Sequence, residues 1–523
     1  MMWPLVYQVL AVCIGIYALR ILHQKIQNQR FARSHGCKPA GTNLDILGLY
    51  RFYELLASSL NQTIPLYGEA LFSRQKRNTI QVVDLGRSNL VTCEPKNIQY
   101  ILSNINEYGL GGARDNFHYL LGNGIFTADG EAWAQSRALV RPSFTWTQIA
   151  DFESLEEHIH ELFLAIEALE KDGVTEMKPL LHDLTMDFAS EFLFGQTSHA
   201  LKQRMEGATD GLAHAFDRGM VHLTLSWILG ELHWLWRPSE YRKVRDAVHS
   251  YVDGFILKAL EARSSKSSML EAETEKERVL REGGRYVFLN ALTTINQDPE
   301  MLRAQVLNIM LAGRDTTAAL ISWIMWVLAR EPKIWQKLRQ EVKSNLGAGK
   351  NARLPTWKVL KDMKYLQAVI NETLRFYAVV PWSNRIALRN TILPVGGGPD
   401  QSSPIFVAKG AMVSYSLFSM HRRKDIWGED AQVFSPDRWL RGDAGKKLRE
   451  IGWGYLPFSG GPRICPGQQF ALTEASYIVV RFCQRYKSIE KALGESDEPT
   501  WLSSAVAPPG DNIRVRLEKE SNL

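Results

Sequence analysis

Cysteine is scarce in this 523-residue chain: five residues, Cys13, Cys37, Cys93, Cys465 and Cys483, lie scattered, with no CxxC pair among them. The odd number and the spacing exclude a disulfide framework and a structural zinc site, and point to reduced thiols in a cytosol-facing domain. A strong charge of either sign is also missing, since 62 Lys and Arg stand against 56 Asp and Glu, a net +6. So small an excess leaves no nucleic-acid footprint. From about residue 45 onward no Ser- or Pro-rich linker, repeat or low-complexity tract divides the chain, so 46–523 reads as one large domain. The nearest break, 264–284, is charged and lacks aromatics, as a solvated connection between helices does. At the N-terminus, basic residues ahead of the apolar run and a small-x-small cleavage site after it are both missing, which argues against the alternative of a cleaved signal peptide.

That run, "MMWPLVYQVLAVCIGIYALRIL", is interrupted only by Gln8 and predicts a transmembrane anchor over 1–24. Arg20, Lys25, Arg30, Arg33 and Lys38 follow with no acidic residue before Asp45. Residues 25–45 therefore read as a basic hinge, and the positive-inside rule leaves the large domain in the cytoplasm. Helical patterns dominate the rest. Asp298 as N-cap, Pro299 at the first position and Pro332 as a stop predict one helix of about 30 residues, roughly 45 Å long and apolar on nearly every face outside "AGRDTT". Strand-like alternation gathers around "TIQVVDLGRSNLVTC" and "PIFVAKGAMVSY". The fold class is mainly α with small β-sheets.

The stretch "FSGGPRICPG", 458–467, holds Cys465 among three Gly and two Pro, just ahead of a helical run. Gly460, Gly461 and Gly467 allow backbone angles and close approach that side chains forbid, Pro462 and Pro466 stiffen the loop, and the helix from Gln468 turns its N-terminal dipole toward the sulfur. Such a setting stabilises a thiolate, and a thiolate on haem iron favours cleavage of an oxygen–oxygen bond. Phe458, Gly461, Arg463, Cys465 and Gly467 fit FxxGxRxCxG, and with them the chain resembles the cytochrome P450 superfamily. The resemblance implies the cytochrome P450 fold, with haem b as cofactor, Cys465 as axial ligand to its iron, and Phe458, Gly461, Arg463 and Gly467 around it.

Other motifs arrive in that family's order. "AGRDTT", Ala312 to Thr317, is similar to its oxygen-binding motif: Ala312 and Gly313 leave room for a ligand, Thr316 passes protons, and Asp315 relays them from solvent. "NETLRFY" supplies Glu372 and Arg375 at i,i+3 spacing, and "FSPDRW" supplies Arg438, a structural trio under the haem; an exposed pair of this kind is worth under about 1 kcal/mol. Trp133 and Arg137 in "EAWAQSR", and Arg385 in "VVPWSNR", match contacts to the haem propionates, for which a planar guanidinium is suited. His421, Arg422 and Arg423 are either a haem or a surface contact.

"GNGIFTADGEAW", "HRRKDIWGEDAQVFSPDRW" and "PGQQFALTEASYIVVRF" resemble the fungal microsomal branch that hydroxylates n-alkanes and fatty acids. Two departures from it are Ala378, where related chains commonly carry Pro, and Pro466, where Leu is common. The resemblance implies an endoplasmic-reticulum monooxygenase served by NADPH-cytochrome P450 reductase and dioxygen, acting near the end of a long aliphatic chain. Two alternatives stand beside it: a tailoring oxidase of fungal secondary metabolism, on a polyketide or terpenoid, and a reductase-independent haem-thiolate isomerase or dehydrase. By analogy the substrate pocket takes residues 108–126, Met310, Leu311, Val379 to Trp382 and Ala505. "MVHLTLSWILGELHWLWRP", with Trp227, Trp234 and Trp236, is either a core helix or an entrance dipping into the bilayer interface. Lys446, Lys447 and Arg449 are the basic residues set against an acidic reductase.

Overall fold

A computed structural model of the chain describes residues 3–42, 45, 47–84, 86–144, 152–208, 210–266, 286–502, 504, 506–510 and 512–520. Most of the expected 264–284 connection, and Ala505, lie outside the described residues. The centre is the helix Pro299–Leu328, capped as the sequence predicts: Asp298 accepts from the Glu300 amide at 3.2 Å, and Pro299 opens the first turn. Apolar side chains on all its faces bury it between two large clusters. Leu320 to Leu328 pack with the helices Met177–Phe194, Lys364–Tyr377 and Gln468–Arg485, while Leu302 to Leu311 pack with Leu212–Ile228 and Ser239–Lys266.

The largest sheet has a core cluster of its own. A six-stranded sheet runs in the order Gly41–Thr42, Thr79–Asp84, Arg87–Thr92, Met412–Ser416, Trp382–Ala387, Tyr108–Gly109. Its register sets Arg385 opposite Val413 and Thr92 opposite Tyr415, which brings three distant parts of the chain to one wall. The sequence pattern marks three of these strands, Thr79–Asp84, Arg87–Thr92 and Met412–Ser416, and misses Trp382–Ala387, whose "WSNRIA" has no apolar alternation. Two smaller sheets, Tyr486–Lys491 with Arg514–Lys519 and Thr175–Glu176, and Thr391–Gly397 with Ser403–Val407, complete the fold.

The expected transmembrane span is not supported. The segment is helical, Trp3–Ser34, but no helix of the described residues is long and apolar enough to cross a membrane. Residues 25–34, expected in a hinge, continue this helix, and Gly41 pairs with Ile80.

Ala378, the departure noted above, caps the helix Lys364–Tyr377 at φ +45°. Proline is locked near −65° and is closed out of that conformation. Here the missing Pro follows from the backbone.

Candidate active site

The Cys loop is built by its own backbone. Cys465 N donates to Phe458 O at 3.0 Å and Ile464 N to Gly461 O at 3.1 Å. Gly461 stands at φ +66°, and a Cβ there would fall 2.3 Å from Leu102 O, so this glycine is obligatory. Gly460 is pressed by the Trp453 ring, whereas Gly467, at φ −87°, would meet Phe144 only at an ordinary 3.5 Å. The steric demand expected of all three therefore falls on the first two; Gly467 contributes its amide, which donates to the Cys465 sulfur as the helix Gln468–Arg485 begins.

Cys465 is exposed and lines a cavity of about 1280 Å³ that Ala312, Gly313, Thr316 and Thr317 of the central helix also line. Burial pushes the thiol above its usual value and outweighs the Gly467 amide and the Arg137 charge, which act the other way. The loop thus brings an amide and a guanidinium that favour the thiolate against burial, and metal binding favours it further.

Six guanidiniums line the same cavity: Arg137, Arg385 and Arg463, read from the sequence, and Arg51, Arg87 and Arg114, which were not; Arg51 pairs with Asp84. Arg463 donates to Asp129 Oδ1 at 2.6 Å and to Ala128 O, and stacks 4.5 Å from the Trp133 ring. Its Nε is buried without a partner. Arg137 donates to Ile464 O at 2.6 Å, tying the helix Gly130–Val140 to the Cys loop, and Arg385 donates to its neighbour Asn384 O. None of Arg114, Arg137 and Arg385 forms an ion pair with a described residue. Arg114 and Arg463 are pulled down to about 10, first by burial and then, with Asp129 opposing, by neighbouring guanidiniums, Arg385 acting on both. Crowded cations, of which Arg114, Arg137 and Arg385 have no counter-ion among the described residues, call for an anionic ligand. A flat group with two carboxylates and a thiolate-seeking metal, as haem has, fits this donor set. The cavity exceeds the roughly 300–1,000 Å³ of a single small-molecule site, leaving room for a substrate beside it.

Thr316 faces the cavity and donates to Ala312 O at 2.6 Å. A Cβ on Gly313 would meet nothing, so that position opens onto free space. Asp315 does not line the cavity; its Oδ1 accepts from Arg314 Nη1 at 2.9 Å, and burial raises it to about 6 against the pull of Arg314.

Glu372, Arg375 and Arg438 lie outside the cavity and fully inside the protein. Arg375 holds Glu372 through two bonds of 2.8 and 2.9 Å, and donates to His421 O, Ala431 O and Val433 O. Arg438 Nε, Trp439 Nε1 and Ser435 N close the remaining positions of Glu372. His421 accepts from Leu456 N, Arg422 sits between the Phe376 and Phe418 rings, and Arg423 pairs with Glu94. None of the three lines the cavity, so neither expected role holds for them.

Of the anticipated pocket residues, Leu110, Phe117, Phe126, Leu311 and 379–382 line the cavity; Met310 and Tyr108 are buried away from it, Tyr108 donating to Ile392 O. Trp227 lines it and is partly exposed, whereas Trp234 points outward and Trp236 packs near His222. Lys446 and Arg449 are exposed, but Lys447 is half-buried and donates to Trp427 O.

Sequence reasoning missed Asp129, which accepts from Leu110 N, Gly111 N and Arg463. It also missed Asn308, which clamps the Phe126 amide and Leu121 O to the central helix. Asp129 had a signal, its N-cap position before "GEAW"; Asn308 had none beyond being polar in a buried helix.

The family model described as Cytochrome P450 matches residues 71–513. Among similar proteins, cytochrome P450 52A3-A of Candida maltosa is 44% identical over 410 residues, 76% of this chain and 75% of that one. Cytochrome P450 monooxygenase alt2 of Alternaria solani is 38% identical over 523 residues, 94% of this chain and 93% of its own. A solved structure titled as the cytochrome P450DA heme domain superposes with a TM-score of 0.74 at 20% identity, over 93% of this chain and 98% of that one, and shares the fold.

Proposed function

The chain belongs to the cytochrome P450 family, and on that premise we propose that it hydroxylates a long aliphatic chain, an alkane or a fatty acid, at or near its end. It is a haem-thiolate monooxygenase, an oxidoreductase that works with dioxygen, a lipophilic substrate and a redox partner. Bound haem supplies the activation of dioxygen and the insertion of one oxygen atom. Cys465 is the thiolate we assign; Arg463, Arg385, Arg137 and Arg114 would hold the propionates, with Trp133 stacked on Arg463.

The observation that carries the substrate reading is the lining of the cavity between Cys465 and its rim. Phe117, Phe126, Ile309, Leu311, Leu320 and Val380 offer no hydrogen bonds, as an aliphatic chain requires. At the rim, Phe52, Leu56 and Trp227 line the cavity and also face outward. Helix Leu49–Leu60 has no buried residue and exposes Leu49, Tyr53 and Leu60. This apolar rim, with the N-terminal helix, supports association with the endoplasmic-reticulum membrane and admission of greasy substrates from it. The partner we assign is NADPH-cytochrome P450 reductase, docking against Lys446 and Arg449.

Within the chain, Asp315, raised by burial to about 6, exchanges protons just below neutrality and relays them toward the neighbouring Thr316, whose hydroxyl lines the cavity. Thr316→Ala keeps full haem content but sends most NADPH electrons to peroxide and water; product recovered per NADPH measures this, and an unchanged ratio removes Thr316 from the pathway. The substrate reading is tested on membranes carrying protein and reductase, fed hexadecane, palmitate and a polyketide or terpenoid panel. Terminal hydroxylation of the aliphatics supports it. Turnover of the panel alone moves the enzyme to secondary metabolism, and hydroperoxide conversion without NADPH moves it to the isomerase class.

A further inference from the structure

Arg314 is a cation almost completely buried on a helix that is otherwise buried through apolar side chains. Such a charge persists only when anions answer it. Nη1 donates to Asp315 Oδ1, as above, and Nη2 to Asp217 Oδ1 on the helix Leu212–Ile228. The guanidinium also stands over the Phe216 ring of that helix, 5.5 Å from its centroid. Asp217 is 46% exposed and Arg314 is 1% exposed, so the pair joins solvent to the interior. The same helix carries Trp227 and leads into Leu229, both on the cavity rim.

We propose that the Asp217–Arg314 ion pair is a latch that couples the position of the Leu212–Ile228 helix to the proton held on Asp315, which makes Arg314 and Asp217 positioning residues for proton delivery. The proposal rests on Asp315 as donor to Thr316. With the latch closed, one guanidinium is shared by two carboxylates. Asp315, enclosed and opposed by Asp217, then keeps its proton up to about pH 6. When the helix moves outward to admit substrate, Asp217 leaves with it and the whole charge of Arg314 falls on Asp315, which releases its proton more readily. Proton release then follows substrate admission.

The charged groups facing Asp315 are Arg314 from its own helix and Asp217 from Leu212–Ile228. Arg314 in turn senses Asp183, paired with Arg204, and His182, which burial and Arg314 pull down to about 4 and so keep neutral. Burial raises Asp183 to about 6 as well, so its anion joins Asp217 in drawing on Arg314 as pH rises, and the same profile recorded in Asp183→Asn separates its contribution from that of Asp315.

The test uses the full-length, haem-loaded protein with reductase, as Asp217→Asn and Arg314→Gln. The first readout is the fraction of NADPH electrons recovered in product as pH rises, which falls as Asp315 loses its proton. Asp217→Asn removes the opposing anion and leaves the cation, so the falling limb moves to lower pH by about half a unit or more. Arg314→Gln removes the cation, so the limb moves to higher pH. The second readout, independent of turnover, is amide hydrogen exchange: residues 212–228 exchange about tenfold faster in both variants. A merely structural role moves both limbs the same way or neither, and that result, or unchanged exchange, overturns the latch. Should Arg314→Gln fail to fold, Asp217→Asn decides alone, since it alters an exposed carboxylate. In Asp315→Asn, an unchanged profile sinks instead the donor reading beneath the proposal.

Discussion

Arg375→Ala yields little folded protein, and what folds loses about 3–5 kcal/mol of stability. The size follows from geometry. Glu372 and Arg375 are completely buried, so removing the guanidinium strands a carboxylate away from water and takes the donor from the carbonyls of His421, Ala431 and Val433. Arg438 and Trp439 still reach Glu372, at 3.0 Å each, which limits the loss without cancelling it. Against a typical domain stability of about 5–15 kcal/mol the change is large. Denaturant midpoints and haem retained after purification measure it. Arg375→Lys falls between, since an ammonium cannot span the same fork, and a midpoint within experimental scatter of the parent contradicts the account.

Cys465→Ser has the opposite profile: chemistry is lost and the fold is kept. The sulfur contacts the cavity, not the apolar core, and the loop around it is held by backbone bonds and by Gly461, none of which needs the thiol. Unfolding midpoints therefore change by less than about 1 kcal/mol, while hydroxylation falls to background because no thiolate is left to bind iron. Iron content and product formation on one preparation separate the two effects. Hydroxylation at the parental rate by the Ser variant removes Cys465 from the mechanism.

These two residues also mark what the sequence could disclose. Cys465 was legible because a Cys with Gly and Arg at fixed spacing is rare, and the central helix because Asp298, Pro299 and Pro332 punctuate it locally. Arg375 was legible as a motif but not as an energy: the i,i+3 spacing suits an exposed pair as well as a buried one, and only the packing of 421–439 around it decides. The ion pair of Asp129 was invisible because Arg463 lies 334 residues away, and Arg114 because the guanidinium it faces, Arg385, is likewise remote in the chain. The strand Trp382–Ala387 was missed for a related reason: it is held by register with Met412–Ser416 and not by its own pattern. At the N-terminus, composition suggested a span, and the structure shows a helix there, Trp3–Ser34.

The central claim is that the Cys465 sulfur, as an anion, ligates haem iron in this cavity. The most direct measurement is the absorption spectrum of the purified, haem-loaded protein, reduced and placed under carbon monoxide. The account predicts a band at about 450 nm that is present in the parent and absent from Cys465→Ser. A folded, haem-replete parent whose band lies at shorter wavelength, indistinguishable from that variant, contradicts it.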